Sequence, residues 1–156
     1  MIRFSDESLK KLEDLKKRYP TSKALTLPVL WLAQEQFGWI SGETIQYVAQ
    51  LLNLPVSHVY SVLTFYTMFH PQEVGRYHLQ VCTNVSCMLR GSDRIVSRLC
   101  ERLKIKVGET TPDKRFSITE VECLGSCGTA PMLQANDRFY ENLTVEGIDK
   151  LLQDLK

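Results

Sequence analysis

The spacing of the apolar residues changes near residue 74, and no other feature constrains the fold of this chain more. Before that point, apolar residues recur every three or four positions, which is the period of an α-helix. Beyond it, Tyr77, Leu79 and Val81 alternate with polar residues, which is the period of a β-strand. The change predicts two domains, residues 1–72 and residues 73–156.

The apolar spacing in the first domain predicts four helices packed as a bundle. Ser5 and Ser41 can cap the first and third helices, because a serine oxygen accepts a hydrogen bond from the free N–H groups of a first turn. The second helix is expected from about Ala24 to Phe37, ending at Gly38. The fourth helix is expected where four residues repeat the spacing i, i+3, i+4, i+7 and form one apolar face: Val56, Val59, Tyr60 and Leu63.

The second domain is predicted to have the order β-α-β-β-α. A strand over residues 76–82 is followed by a helix that Ser92 or Asp93 opens, and a second strand covers residues 115–122. A right-handed crossover would make these two strands parallel neighbours. A hairpin and a last helix capped by Thr144 complete the domain. The fold class is therefore α/β, of the α+β type, with a helical bundle first.

Four of the five cysteines form two pairs, each at the end of a predicted strand. Cys82 and Cys87 have four residues between them, and Cys123 and Cys127 have three. If the two strands are parallel neighbours, the loops at their carboxyl ends lie side by side and the four thiols converge. Four thiolates suit either a tetrahedral zinc ion or an iron–sulfur cluster.

The spacing within the pairs favours a 2Fe-2S cluster over zinc. Structural zinc sites usually bind the ion with two short Cys-x2-Cys turns, although loops of up to four residues occur. A two-iron cluster presents two metal ions, and each of the longer loops could hold one. A structural zinc module with four cysteine ligands, mediating interactions, remains the alternative from a different functional class.

The other candidate ligands have simpler explanations. Cys100 follows Val96 by four residues on the apolar side of its helix, so a buried, inert thiol is expected there. His58, His70 and His78 are dispersed and form no i, i+4 pair, so they are not expected to bind metal. The Cys-x-x-Cys motif of disulfide enzymes is absent from the sequence, which argues against thiol redox catalysis.

The distribution of charge points to a protein partner. The formal net charge is only +1, so the chain has no general attraction to nucleic acid or anionic membranes. From Ala24 to Gly75 the sequence has no Lys, Arg or Asp and carries 8 of the 14 aromatic residues. Aromatic enrichment with charge depletion is typical of interface cores, so this segment is predicted to help dock another subunit. The alternative for any single aromatic residue is that it packs the bundle against the second domain. The absence of basic residues in this segment also excludes DNA recognition.

Several longer motifs resemble a known family. They are Gly38-Trp39-Ile40, Phe65–Phe69, Gly75–Cys82, Gly108–Asp113 and Val121–Cys127 with Ala130-Pro131. Together they are similar to the small 2Fe-2S subunits of respiratory NADH:quinone oxidoreductase, complex I, the NuoE-like subunits. The resemblance covers nearly the whole chain. It implies that the second domain is a thioredoxin-like ferredoxin domain, and that Cys82, Cys87, Cys123 and Cys127 bind one 2Fe-2S cluster.

The resemblance also implies a function and a location. The chain would be an electron-transfer subunit with no turnover of its own, exchanging electrons with the FMN of an NADH-oxidising, NuoF-like flavoprotein. FMN and NADH would bind only to that partner, and the chain itself has no G-x-G-x-x-G dinucleotide motif after a strand. Other subunits of the peripheral arm are expected partners. With no signal peptide or apolar run long enough to span a bilayer, the chain is expected in the cytoplasm, at the inner face of the membrane.

The same architecture resembles the small subunits of NAD-linked hydrogenases and formate dehydrogenases, which remain alternative parent complexes. One departure from the family pattern is visible: Lys114 stands where many relatives have glycine. The expected effect is confined to a surface turn and leaves the four cysteines in place.

Overall fold

The structure is a computed structural model that describes residues 2–155. Two compact units divide the chain, the first ending at Glu73 and the second beginning at Val74. The first unit is helical and the second mixes helices with a four-stranded sheet, which confirms the predicted fold class. No helix in the described residues is both long and apolar enough to cross a membrane.

The first unit is a bundle of four helices, the number that the apolar spacing predicts. They are α1 (Asp6–Lys16), α2 (Ser22–Phe37), α3 (Gly42–Leu52) and α4 (Val56–Phe65). Ser5 and Ser41 cap α1 and α3 as predicted, with their side-chain oxygens accepting backbone N–H groups. Helix α2 begins two residues earlier than expected, because Thr21 provides an equivalent cap. Gly38, at a φ of 81°, ends α2.

Helix α4 buries only half of its predicted apolar face. Val59 and Leu63 are fully covered, whereas Val56 and Tyr60 are 48% and 56% exposed. The four residues span a wide arc of the helix surface. Helix α4 packs against α2 and α3 along one edge of that arc, and the other edge faces outward.

The second unit contains the sheet, with strands β1 (Tyr77–Cys82), β2 (Phe116–Val121), β3 (Leu133–Ala135) and β4 (Arg138–Tyr140) in the order β2-β1-β3-β4. β1 and β2 are parallel, as predicted, whereas β3 and β4 pair as an antiparallel hairpin. The helices are α5 (Val85–Leu89), α6 (Ser92–Leu103) and α7 (Val145–Asp154). Thr144 caps α7 as expected, by accepting the N–H of Gly147 at 3.0 Å.

Helix α5 was not expected from the sequence, whereas the start of α6 at Ser92 is one of the two starts predicted for it. A short helix of five residues occupies what was expected to be loop after β1. Helix α6 begins at Ser92 without a side-chain cap; Gly91 precedes it at a φ of 88°. Because only glycine adopts that conformation without strain, Gly91 allows the tight connection between α5 and α6.

The core of the second unit lies between the sheet and its helices α6 and α7, and includes Leu79, Val81 and Ile118. His78 was expected to lie on a polar side of β1, but it is only 7% exposed. Its ring nitrogen Nε2 lies 2.9 Å from Thr119 Oγ1, so the buried imidazole has a hydrogen-bonding partner.

Two further features hold β2 in place. The segment 108–111 pairs along it: Gly108 N donates to Ile118 O at 2.7 Å, and Thr111 N donates to Phe116 O at 2.8 Å. In addition, Gly75 lies so close to β2 that a Cβ atom there would be 2.7 Å from the backbone N and C of Phe116.

Candidate metal centre

The first cysteine pair is built by the end of β1 and the short helix that follows it. Cys82 is the last residue of β1, and Cys87 lies within α5. Asn84 starts this helix by accepting the N–H of Val85 on its side-chain oxygen at 2.8 Å. Both thiols are buried, at 3% and 2% exposure, in a small apolar cluster that includes Met132. Packing therefore fixes both side chains.

The second pair lies in the segment after β2, and both its thiols are exposed. Cys127 is the first residue of a short 3-10 turn over Cys127–Thr129. Gly125, at a φ of 75°, turns the backbone so that its N–H donates to Cys123 Sγ at 3.3 Å. A side chain at this position would strain the turn, which explains a glycine between the two cysteines.

The structure brings the two pairs together, because β1 and β2 are parallel neighbours and end side by side. The Cys82 thiol interacts with the thiols of Cys87 and Cys123, one from each pair. Cys87 in turn lies near enough to Cys127 for their charges to interact. All four predicted site residues therefore meet at the carboxyl ends of the two strands.

The surroundings of Cys82 favour its thiolate. Burial raises the pKa of this thiol, but hydrogen bonds from the backbone N–H groups of Asn84 and Leu124 act in the opposite direction. Hydrogen bonds from the thiols of Cys87 and Cys123 add to that effect, so the pKa lies below the ordinary cysteine value. A thiolate is the form that binds metal.

Cys87 has the opposite shift. Burial raises its pKa, and the hydrogen bond with Cys82 raises it further. Within the buried pair, the proton therefore stays preferentially on Cys87, and a bound cation would have to displace it.

The segment carrying Cys127 is held by polar contacts that the sequence analysis did not identify. The side chains of Ser126 and Thr129, at the two ends of the turn, both donate to Oε1 of Glu141, the latter at 2.6 Å. These hydrogen bonds from Ser126 and Thr129 lower the pKa of Glu141. Glu141 is 14 positions beyond Cys127, and no short motif connects the two.

Comparison with known proteins identifies the family of the chain and its cofactor. A model of the thioredoxin-like 2Fe-2S ferredoxin family matches residues 12–156. The chain belongs to this family. The family description names one 2Fe-2S cluster as the cofactor, which confirms the predicted cofactor, while the four individual ligands stay a prediction.

The relatives of this ferredoxin-family chain include oxidoreductase subunits. The NADH-quinone oxidoreductase E subunit of Rickettsia felis is 46% identical over 155 residues, which cover 97% of this chain and 92% of that protein. The E subunit numbered 2 of the NADH-quinone oxidoreductase of Rhizobium meliloti is 43% identical over 139 residues, covering 89% of this chain and 83% of that protein.

A solved structure has the same fold. The NAD+-reducing NiFe-hydrogenase in its air-oxidised state superimposes with a TM-score of 0.74 over 84% of this chain, at 22% sequence identity. The match spans only 22% of that hydrogenase chain. At this level of identity the likeness shows a shared fold and nothing more about activity.

The donor set of the site fits the cofactor of the ferredoxin family. Four cysteine thiols are the usual ligands of a 2Fe-2S cluster. Within residues 2–155, no group of three or more His, Cys, Asp or Glu side chains is arranged so that it could hold a metal ion. A 2Fe-2S cluster takes two protein ligands on each of its two irons, so thiols arranged in two pairs suit it.

The remaining candidates have contacts of their own. Cys100 was expected to be buried and is half-buried, packed against the core between the sheet and helices, and burial raises the pKa of its thiol. His58 lies 3.3 Å from the hydroxyl of Thr26 in the first unit, and burial lowers the pKa of His70. None of these side chains takes part in the cysteine contacts described above.

Proposed function

We propose that the protein is the electron-transfer subunit of an NADH-quinone oxidoreductase, in which Cys82, Cys87, Cys123 and Cys127 hold one 2Fe-2S cluster. The observation that carries this proposal is the meeting of the four thiols at the ends of β1 and β2. The two NADH-quinone oxidoreductase relatives, at 43% and 46% identity, favour this complex over a hydrogenase or formate dehydrogenase.

The residues of the chain hold and orient the cofactor. When bound, a 2Fe-2S cluster accepts and donates single electrons. Cys82 and Cys87 provide two ligands from a buried, well-packed position, and the N–H groups near Cys82 favour its thiolate form. Cys123 and Cys127 provide two from the exposed side. This asymmetry leaves one side of the site open to an electron partner.

We further propose that the partner is a flavoprotein that carries FMN and oxidises NADH, and that it approaches along α5. Three apolar side chains of α5 are exposed, and we call them the α5 surface: Val85 at 59%, Met88 at 54% and Leu89 at 79%. Cys87 belongs to the same helix, so a protein covering this surface comes close to the cluster. Exposed apolar side chains next to a functional site are typical of interfaces.

A second contact is proposed on α4, within the segment predicted from its lack of charge. Four apolar residues of α4 and its C-cap are exposed, and we call them the α4 surface: Val56, Tyr60, Phe65 and Tyr66. Phe65 is the most exposed of them, at 77%. Tyrosine and phenylalanine are enriched at protein interfaces, where they bury a large area with few rotatable bonds. A complex of this kind would place the chain at the cytoplasmic face of the membrane, bound to other subunits of the peripheral arm.

Anaerobic purification tests the cluster. We expect a red-brown protein with about two irons and two acid-labile sulfides per chain. Replacing each of the four ligands singly with alanine should remove or strongly alter the visible spectrum, whereas Cys100→Ala should leave it unchanged. A colourless protein with one zinc would refute the proposal, as would loss of the spectrum in Cys100→Ala alone.

Binding to the purified flavoprotein tests the two surfaces. Leu89→Ser and Phe65→Ser should each weaken the complex about tenfold, the effect of losing a buried apolar anchor. Leu9→Ser is the matched control, because Leu9 is also exposed, at 36%, but lies in α1. If the two variants bind as tightly as this control, the surfaces are not the docking elements.

A further inference from the structure

We propose that Glu141 is a positioning residue for Cys127: its carboxylate, acting through Ser126 and Thr129, fixes the turn that carries this ligand. The proposal rests on the proposed function, because it takes Cys127 to be a ligand of the cluster. It concerns how this chain holds its more exposed pair of cysteines.

The need for such a residue follows from the difference between the two pairs. Cys82 and Cys87 are almost fully buried, so apolar packing holds their side chains. Cys123 and Cys127 are exposed, and their own segment contributes the half-buried Leu124 to the apolar cluster. Metal sites need ligands held in a defined geometry by the residues around them. At the second pair, hydrogen bonds must therefore hold the cysteine side chains in position, as apolar packing does at the first pair.

The hydroxyls of Ser126 and Thr129 converge on one oxygen of Glu141. They also lie 2.6 Å from each other, so three polar contacts join three groups. Each hydroxyl has a single proton and can make only one donated hydrogen bond at a time. Thr129 Oγ1 also lies 3.2 Å from Ser126 O, which is the longest of the contacts that these hydroxyls make. In every arrangement of the two protons that uses the three shorter contacts, at least one proton ends on the carboxylate. Glu141 is therefore the acceptor that both ends of the turn share.

The backbone next to Glu141 is fixed to the same segment. Asn142 N donates to Thr129 O at 2.7 Å, and Leu143 N donates to Pro131 O at 2.9 Å. Glu141 itself directly follows β4, which is paired with β3. The carboxylate thus extends from a residue that is held next to the sheet by backbone hydrogen bonds. Its own hydrogen bonds to Ser126 and Thr129 then restrict the movement of the turn.

The ionised state of Glu141 suits this role. The hydrogen bonds from Ser126 and Thr129 hold its pKa below the usual range, so at neutral pH it accepts and does not donate. A carboxylate is a stronger acceptor than an amide oxygen, but a glutamine keeps an oxygen at the same distance along the side chain. Glutamine should therefore preserve much of the positioning, and alanine should abolish it.

The test compares variants of the full chain purified with the cluster under anaerobic conditions. The readout is the rate at which the visible absorbance disappears in the presence of an iron chelator. Loss of a residue that orients a metal ligand typically weakens a metal site by about 10-fold or more, so Glu141→Ala should lose the cluster about tenfold faster than the wild type. Glu141→Gln should fall between the two and closer to the wild type.

Two further variants make the result specific. Asp137→Ala removes an exposed carboxylate from the turn of the same hairpin and should lose the cluster at the wild-type rate. Thr129→Val removes one of the donating hydroxyls with little change of shape, and should accelerate the loss in the same direction as Glu141→Ala. The EPR spectrum of the reduced protein should also change in Glu141→Ala, since the geometry at Cys127 changes.

The outcomes separate this proposal from the proposed function. A wild-type chain without iron and sulfide would refute the proposed function itself. A wild-type cluster that Glu141→Ala releases no faster than Asp137→Ala would refute the positioning role alone. Equal acceleration by Glu141→Gln and Glu141→Ala would also overturn it, because the glutamine oxygen should retain the contact. A lower thermal stability of Glu141→Ala, with unchanged cluster release, would show a structural role only.

Discussion

Substitution of Gly75 by alanine tests the closest backbone approach in the second unit. A Cβ atom at this position would lie 2.7 Å from both the N and the C atom of Phe116, and 2.9 Å from the C atom of Arg115. Ordinary contacts of a Cβ atom begin at 3.4 Å, so β2 would have to retreat by about 0.7 Å, the difference between the two distances. Because the obstructing atoms are backbone, no side-chain rotation can relieve the contact.

The expected cost combines two effects of opposite sign. Overpacking of a rigid site typically costs about 1–3 kcal/mol, and the upper part of that range applies where backbone must move. Replacing glycine by alanine also restricts the unfolded chain, which stabilises the fold by about 0.4–1 kcal/mol. The net prediction is a loss of about 2 kcal/mol in the free energy of unfolding of the second unit.

Native-state hydrogen exchange measures this loss where it occurs. In peptides covering β1 and β2, amides that exchange only through unfolding should exchange about 30-fold faster, which corresponds to about 2 kcal/mol. Gly42→Ala is the matched control, because a Cβ atom at Gly42 meets nothing within 4 Å. It should leave exchange in α3 unchanged or slow it. Unchanged exchange in β1 and β2 of Gly75→Ala would refute the close-approach argument.

Three other predictions concern the cofactor, a turn and an ion pair. The midpoint potential in an EPR-monitored titration should lie nearer about −400 mV than the roughly −150 to +300 mV of Rieske centres, because all four proposed ligands are thiolates; a value above zero would contradict this. Lys114 has a φ of 55°, a left-handed conformation that strains a residue with a Cβ atom. Lys114→Gly removes this strain but makes the unfolded chain more flexible, so the net gain in stability should be about 0.5–1 kcal/mol. A lower melting temperature would contradict this. The hydrogen bonds from Arg98 lower the pKa of Asp149, so the pair stabilises the fold above the unfolded pKa of about 3.9 and loses its effect as the pH falls through the folded pKa. Asp149→Asn should therefore have a lower melting temperature than the wild type at pH 7, and the two melting temperatures should converge in acid. A difference in melting temperature that stays the same as the pH falls would exclude this linkage.

The sequence alone was sufficient to predict the elements whose period is long or whose caps are distinct. α1 and α3 have a serine cap followed by a repeated apolar spacing, and β1 alternates over six residues. The cysteine pairs were recognisable because their spacing is local, and parallel pairing of β1 with β2 then brings them together. In each case a short stretch of sequence contains the whole signal.

Features that depend on neighbours distant in sequence could not be predicted in this way. Helix α5 has only five residues, fewer than two turns, so no apolar period can show; Asn84 is the one local sign of its start. The exposure of Val56 and Tyr60 depends on which edge of α4 meets the other helices. The contact of Glu141 with the turn at Ser126 depends on how the β3–β4 hairpin folds back.

The pairing of segment 108–111 with β2 has a consequence for the chain before it joins any complex. β2 is an edge strand of the sheet, and the unpaired backbone groups of an edge strand can recruit a strand from another molecule. Here the hydrogen bonds of Gly108 and Thr111 to β2 occupy several of those groups. The opposite edge, β4, is only three residues long and offers little to pair with. Newly made copies of the chain are thereby protected against aggregating through their sheets while they wait for assembly.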